Sequence, residues 1–424
     1  MGIDLLVLGV FLILMERKVL GDKYILFSPY FILNLSIIYI YVMPIMAAGL
    51  PDSVNYLSRL SPTLVAQLLT TVRQFYYSFA ILYLISIYKI SKSKHAEFVD
   101  SNMIFLTPLF MFISWMCLLT ITVFVDLAKV GFNPILFLRM QIDPRAFTYL
   151  RSGLGPLTYL SNVSKMLILY ISTVYYFQRK TVSSILLLIL SFLLNIAGGS
   201  KSSMLVMFIF FLLIRQKQKK VGKVSASKFL GVSIIFVVAI LASFYFMRGS
   251  ITINSFSELL DFITSYAQEA YYSARVIEDF KWDINNIWIA IRAFFLTPIP
   301  RAIFSQKNYY GFYQECWRVL YQEGSVLYQS STYGFLSEGH MLFGWLSPFI
   351  SAVFINKVSE KIYTKYYSSS SLPELFILSY LFTRMYFYTR SGYLDATNMW
   401  ALLVFYLGAK FFFWVMQKYT IRRR

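Results

Sequence analysis

The chain has 424 residues, of which 58% are hydrophobic, 19% aromatic and only 14% charged. A soluble domain is nearer half apolar and a quarter charged, so this balance excludes a water-soluble globular protein and predicts a polytopic membrane protein. The net charge of +19 would indicate nucleic acid in a soluble chain; here more than half of the basic residues fall in alternate connections between apolar runs, so membrane topology explains them and no nucleic-acid partner is expected.

In chain order, about eleven segments are apolar enough to cross a bilayer, or nearly so: 2–15, 24–49, 73–90, 104–126, 157–177, 181–197, 203–214, 229–247, 335–356, 373–388 and 398–416. The predicted fold is therefore an all-α helical bundle of about 11–12 membrane helices, a single integral membrane domain over 1–424. The first run is followed by Glu16, Arg17 and Lys18, not by a small-residue cleavage site, and reads as a retained helix. Basic residues crowd every second connection: Arg17/Lys18/Lys23, Lys89/Lys92/Lys94, Arg179/Lys180, Arg215 to Lys228, Lys357/Lys361/Lys365 and Lys418 to Arg424. The positive-inside rule puts those connections in the cytoplasm, the N-terminus outside and the C-terminus inside. Cys117 and Cys316 fall in a membrane helix and an external loop and are not expected to pair.

The external side then holds 50–72, 127–156, 198–202, 248–334 and 389–397. The segment 248–334 is too long to remain structureless and should fold. Ser255-Phe256-Ser257-Glu258 fits a capping box. After it, Leu259, Ile263, Tyr266, Ala270, Ala274 and Ile277 recur at helical spacing opposite Glu269, Glu278 and Asp279, which predicts an amphipathic helix lying on the membrane surface. Trp282, Trp288, Phe294 and Phe295 would anchor the next stretch of the loop at the interface.

A second set of cations is left on this external side, where orientation does not account for it: Arg139, Arg145, Arg151, Lys201, Arg248, Arg275, Arg292, Arg301, Lys307, Arg318 and Arg390, with Lys165 and Arg384 inside helices toward the same face. Lys165, Lys201, Arg248 and Arg384 come from four different helices or helix ends, which a bundle would gather at one mouth. Such a mouth suits a lipid-linked diphosphate, because Arg forks match phosphate oxygens and Lys adds point charge. No carboxylate pair is well placed to hold a metal, with Asp143 and Asp395 the only loose candidates, so the expectation is leaving-group stabilisation by fixed cations, with no metal and no cofactor. Gly198-Gly199-Ser200-Lys201 makes a tight turn that carries Lys201. Pro298 and Pro300 fix the backbone ahead of Arg301. Glu338 and His340, an ionisable pair at the start of the ninth run, are the candidates for acid–base work. On a regular helix residues two apart diverge by about 200°, so the two share one cleft only if the helix begins after them, which Gly339 would allow. Each cation also has a plainer reading, as a partner of a loop carboxylate or a side chain reaching lipid phosphates.

In the order of these elements the chain resembles the Wzy family, the bacterial polymerases of O-antigen, capsule and other repeat-unit polysaccharides. The matching elements are Arg145 and Arg151 before Gly153-Leu154-Gly155, the Gly199-Ser200-Lys201 turn, Arg248-Gly249, Pro300-Arg301 with Lys307, and the Glu338/His340 helix start. Family members have more spans and both ends in the cytoplasm, so an outside N-terminus is a departure. The resemblance extends to O-antigen ligases, which share a C-type membrane glycosyltransferase fold. It implies an enzyme of the bacterial cytoplasmic (inner) membrane, active on the outer side, that joins polyprenyl-diphosphate-linked glycans among membrane lipids, alongside a chain-length regulator. Arg301, Lys201, Arg248 and Arg145 would stabilise the diphosphate, with Arg151, Lys165, Lys307, Arg384 and Arg390 lining the substrate path. Glu338, then His340, would orient the acceptor hydroxyl, and Tyr309, Tyr310 and Tyr313 would stack on sugars. Two alternatives are an O-antigen ligase and a transporter of lipid-linked sugars; the second places binding charges near the midplane and often has two related halves.

Overall fold

The computed structural model describes residues 1–25, 27–50, 55–93, 108–142, 155–179, 181–197, 201–218, 264, 267–296, 299, 333–392 and 396–421. Among these residues every regular element is helical. The helices are α1 (Ile3–Leu20), α2 (Pro29–Ala48), α3 (Pro62–Ser91), α4 (Pro108–Lys129), α5 (Pro134–Ile142), α6 (Gly155–Arg179), α7 (Val182–Ala197), α8 (Lys201–Gln218), α9 (Glu269–Asp279), α10 (Asn285–Leu296), α11 (Phe335–Phe343), α12 (Ser347–Ser368), α13 (Leu372–Ser391) and α14 (Ala396–Ile421). The expected all-α membrane bundle is the observed architecture.

Ten of the eleven expected spans coincide with a helix; 229–247 lies outside the described residues. Among the described residues five helical stretches are long and apolar enough on their own to cross a membrane: Pro29–Ala48, Pro62–Ser91, Pro108–Lys129, Phe335–Ser368 and Met399–Lys418. The others fall short for local reasons. α7 has only 16 residues, and α1 carries Asp4, Glu16, Arg17 and Lys18. In α6, Ser161, Ser164, Ser172 and Thr173 are buried against neighbouring helices. α3 begins at Pro62, not at 73 as hydropathy predicts. Ser61 caps the Leu64 N–H and Pro62 supplies the fixed φ of a first helical residue, so the helix starts a full three turns into the expected external loop.

Lipid tails are as apolar as leucine, so helices associate through packing and interhelical hydrogen bonds, not through exclusion from water. Large aromatics fill the contacts: Tyr30, Phe75, Tyr76, Phe79, Tyr83, Tyr170 and Tyr363 are all fully buried. α12 lies along α3, α4 along α6, α13 along α8 and α2, and α6 also meets α7 and α14. Polar rungs tie these pairs together. Tyr76 donates to Asn34 Oδ1 at 2.9 Å, Trp115 Nε1 donates to the Ser191 hydroxyl at 3.0 Å, and the Ser172 and Ser191 hydroxyls lie 2.7 Å apart. The opposite face of α7 shows Ile185, Leu186, Ile189, Leu190 and Leu193 to the outside, where lipid would cover them.

Side-chain contacts sort the helix ends into two groups. At one end Lys23 Nζ donates to the Ser91 and Ser93 carbonyls, Gln216 donates to the Tyr24 carbonyl, and Lys217 donates to the Tyr367 and Ser369 carbonyls. The basic last turns of α1, α3, α8 and α12 therefore share one end of the bundle. At the other end Asn55 meets the Pro44 carbonyl and Thr264, Gly334 N–H meets the Arg390 carbonyl, and Trp400 meets the Phe294 carbonyl. Such a division of charge predicts a cytoplasmic basic end. With both native cysteines removed, Asp283→Cys, exposed at the second end, is expected to react with an impermeant maleimide on intact cells. Lys92→Cys at the basic end should react only after permeabilisation. The reverse pattern would invert the topology.

The large loop departs from expectation in part. Residues 255–263 lie outside the described set. α9 does bury Ala270 and Ala274 and leaves Glu278 and Asp279 exposed, as expected, but its first turn is enclosed. It packs between α3, α11 and the π-turn of α2 at Ile38–Val42. Glu269, expected on the polar face, is 2% exposed. Arg390 brings its counter-charge with it, which is what allows a carboxylate to be enclosed there. Of the expected anchors, Trp282, Trp288 and Phe295 are exposed, and Trp288 and Phe295 form one stripe at helical spacing with Ile284 and Ile291, whereas Phe294 stacks on Trp400 of α14.

Candidate functional site

Four ionisable residues, Glu338, His340, Arg390 and Glu269, meet at or beside α11. Its entry is fixed by Gly334, which has φ +80, donates its N–H to the Arg390 carbonyl at 2.9 Å, and lies so close to the Tyr41 hydroxyl that a Cβ would collide with it. Arg390 in turn holds the Glu269 carboxylate at 2.7 Å. Within α11 the Ser337 hydroxyl lies 2.8 Å from the Ser273 hydroxyl of α9, and both reach the Tyr333 carbonyl. At the far end of α11 the orphan carbonyls of Met341 and Leu342 accept from Asn286 at 3.0 Å and Trp282 Nε1 at 2.8 Å. Folded parts of the large loop thus clamp this short helix from both ends.

Glu338 lies in the first turn of α11, where the exposed N–H dipoles favour a carboxylate, and it is fully buried. His340 is half-buried and hydrogen-bonds the Phe280 backbone. The helix begins at Phe335 and runs through both residues, so they point to different sides and do not share a cleft. Gly339 does not delay the helix start. Its role is close approach: a Cβ there would run into the Ser347 and Ser351 hydroxyls of α12.

The expected cationic mouth is only partly within the described residues, and the described part does not converge. Lys165 is 6% exposed and bound to Asp126 at 2.9 Å. Lys129 holds the other oxygen of that carboxylate at 2.6 Å, and Ser161 adds a 3.2 Å hydrogen bond. Arg384 hydrogen-bonds the Tyr380 hydroxyl and stacks over the Tyr380 and Phe387 rings. Tyr170, five residues after Lys165 and about 140° around α6, faces Phe376 of α13 at 5.0 Å. Lys165 is therefore turned away from the helix that carries Arg384 and toward α4. Arg275 is satisfied locally by Glu278 and Asp279, each at 2.9 Å. Lys201 is the first residue of α8. Arg145, Arg151, Arg248, Arg301, Lys307, Tyr309, Tyr310 and Tyr313, and the carboxylates Asp143 and Asp395, lie outside the described residues.

Two acids that sequence reasoning misses organise this end of the bundle. Asp126 closes an apolar helix three residues before Lys129, and a charge pair at such a position is itself a signal. Glu269 sits one residue ahead of an apolar stripe, and only its distant partner Arg390 explains its burial. Among the described residues no three His, Cys, Asp or Glu side chains come together. Met166, Leu169, Tyr170, Val206, Phe210 and Phe376 enclose a small crevice between α6, α8 and α13 that carries no charged group. Compared with family models, with curated proteins and with solved structures, the chain matches none.

Proposed function

We propose that the chain is a membrane-embedded polysaccharide polymerase, a glycosyltransferase that joins polyprenyl-diphosphate-linked oligosaccharide repeats on the outer side of a bacterial cytoplasmic membrane. The observation that carries the reading is the segregation of charge. Basic clusters occupy one end of the bundle, while Glu338, His340, Arg384, Arg390 and Lys165, which that rule does not explain, all lie toward the other, where folded parts of the large loop close over α11. The resemblance in motif order to the Wzy family supplies the substrate class.

In this reading an acceptor hydroxyl attacks the anomeric carbon of the donor glycan as the C–O bond to the lipid diphosphate breaks. The proton leaves the acceptor for a protein base, and one displacement inverts the anomeric centre. Arg301, Arg248, Lys201 and Arg145 stabilise the departing diphosphate, and Glu338 or His340 takes the proton. Purified protein given only lipid-linked repeats is expected to build a ladder of products. A ligase, which needs a different acceptor, builds none. In the same assay Glu338→Gln should slow ladder growth while donor binding survives, because the amide keeps the shape and loses the basic oxygen. An active Glu338→Gln beside an inactive His340→Ala would move the base to His340. A protein without ladder activity that moves lipid-linked sugar between leaflets would replace the reading with transport.

A further inference from the structure

The junction of α1, α2, α3 and α12 encloses an acid that the proposed reaction does not use. Glu16 of α1 is 0% exposed. Its Oε1 accepts from the Ser28 hydroxyl at 2.5 Å, its Oε2 accepts from the Tyr83 hydroxyl at 2.7 Å, and Tyr363 supplies a further hydrogen bond. The titratable and charged groups around it are Tyr24 and Tyr30, Tyr83 of α3, Tyr363 and Tyr367 of α12, and Arg17, whose exposed side chain lies toward Tyr24. No lysine, arginine or histidine pairs with Glu16 among the described residues. Hydroxyl donors alone do not offset the removal of a carboxylate from water, and a group so placed neutralises itself.

The hydrogen bonds point the same way. Tyr83 has one hydroxyl proton and two acceptors within reach, Glu16 Oε2 at 2.7 Å and the Leu12 carbonyl at 3.2 Å. A proton on Glu16 satisfies both: the acid donates to Tyr83, and Tyr83 donates to Leu12.

A second carboxyl completes the layer. Glu360 of α12 is 20% exposed at its side chain. Ser86 donates to it at 2.7 Å, the Asn356 amide donates to Ser86 at 3.0 Å, and Tyr30 donates to Asn356 Oδ1 at 3.0 Å. The Tyr30 ring stands edge-on to Tyr83, with ring centroids 4.5 Å apart. Unlike Glu16, this second acid reaches the surface and has a cation beside it, Lys357 Nζ at 3.9 Å.

We propose that Glu16 is a proton-binding site, held as the neutral acid within the four-helix junction. The site is independent of polymer chemistry, so its test needs no substrate. Infrared spectra of purified protein at neutral pH should contain a carboxylic-acid carbonyl band that shifts in D2O, is lost in Glu16→Gln and is kept in Glu338→Gln. Because glutamine copies the shape of the neutral acid, the melting temperature of Glu16→Gln should match that of the parent. A spectrum in which Glu16→Gln removes carboxylate intensity and leaves every acid band in place overturns the proposal. If Glu16→Gln does not accumulate, Tyr83→Phe and Ser28→Ala each withdraw one partner from the same carboxyl and should shift the band; no shift in either also overturns it.

Discussion

Asp126→Ala is expected to cost about 3–5 kcal/mol of stability, among the largest effects of any single substitution in this protein, because it removes the one carboxylate that two buried lysines share. The side chains of Lys129 and Lys165 are each 8% exposed and Asp126 is 3% exposed, so water does little to screen them. The attraction between such charges roughly repays their desolvation, and the pair or triad as a whole adds little net stability. Removing the shared anion is different, since two like charges then face each other in a medium of low polarity with no carboxylate between them. Asp126→Asn should recover only a small part, because Lys129 and Lys165 bind different oxygens of the carboxylate, and an amide offers one oxygen and turns an NH2 donor toward the other ammonium. The control is the triple variant Asp126→Leu, Lys129→Met, Lys165→Met, which removes all three charges while keeping volume and should return to near parental stability. Denaturant or thermal unfolding in detergent reads all three. A loss under about 1 kcal/mol for Asp126→Ala, the size of an ordinary substitution, would mean that the lysines reach water or another anion, and the triad would not be the anchor of α4 on α6.

The same triad marks where sequence reading stops. Apolar runs and the alternation of Lys and Arg are enough to place ten helices and sort their ends, because both patterns are set by the bilayer and need no knowledge of partners. Partner choice is not legible. In the sequence Lys165 looks like a free cation in a substrate mouth because its counter-ion lies 39 positions earlier on another helix. Glu269 looks solvent-facing because Arg390 is 121 positions away. Glu16 looks like the start of a basic loop, since nothing local reveals that Ser28, Tyr83 and Tyr363 close around it. The Glu338/His340 geometry is legible in its logic and open in its outcome. Two residues apart on one helix must diverge, and the start of α11 at Phe335 decides the matter. What the bundle does with its second set of charges is therefore a question about long-range pairing. Three of those charges, Lys165, Arg275 and Arg390, have carboxylate partners, which concentrates the case for phosphate binding on the loop cations.

Arg301→Ala is expected to slow polymer formation by roughly 30- to 1000-fold, on the order of 2–4 kcal/mol of transition-state stabilisation lost. The residue lies outside the described set, and the expectation rests on its sequence setting. Pro298 and Pro300 fix φ on either side of Ile299 and leave the backbone little freedom just ahead of the guanidinium. Such rigidity is what preorganised charge requires, because a donor already aimed at the leaving oxygens loses no reorganisation energy as negative charge builds on them. Lys307, six residues on, supplies charge without a fork. Arg301→Lys should accordingly restore the charge but not the two parallel hydrogen bonds, and recover part of the rate. The measurement is single-turnover ladder growth with lipid-linked repeats at saturating donor, so that weakened donor binding does not pass for slowed chemistry. A loss confined to subsaturating donor would make Arg301 a binding residue only. A normal rate in Arg301→Ala at normal expression would shift the leaving-group role to Arg145, Lys201 or Arg248, whose own alanine variants would then carry the deficit.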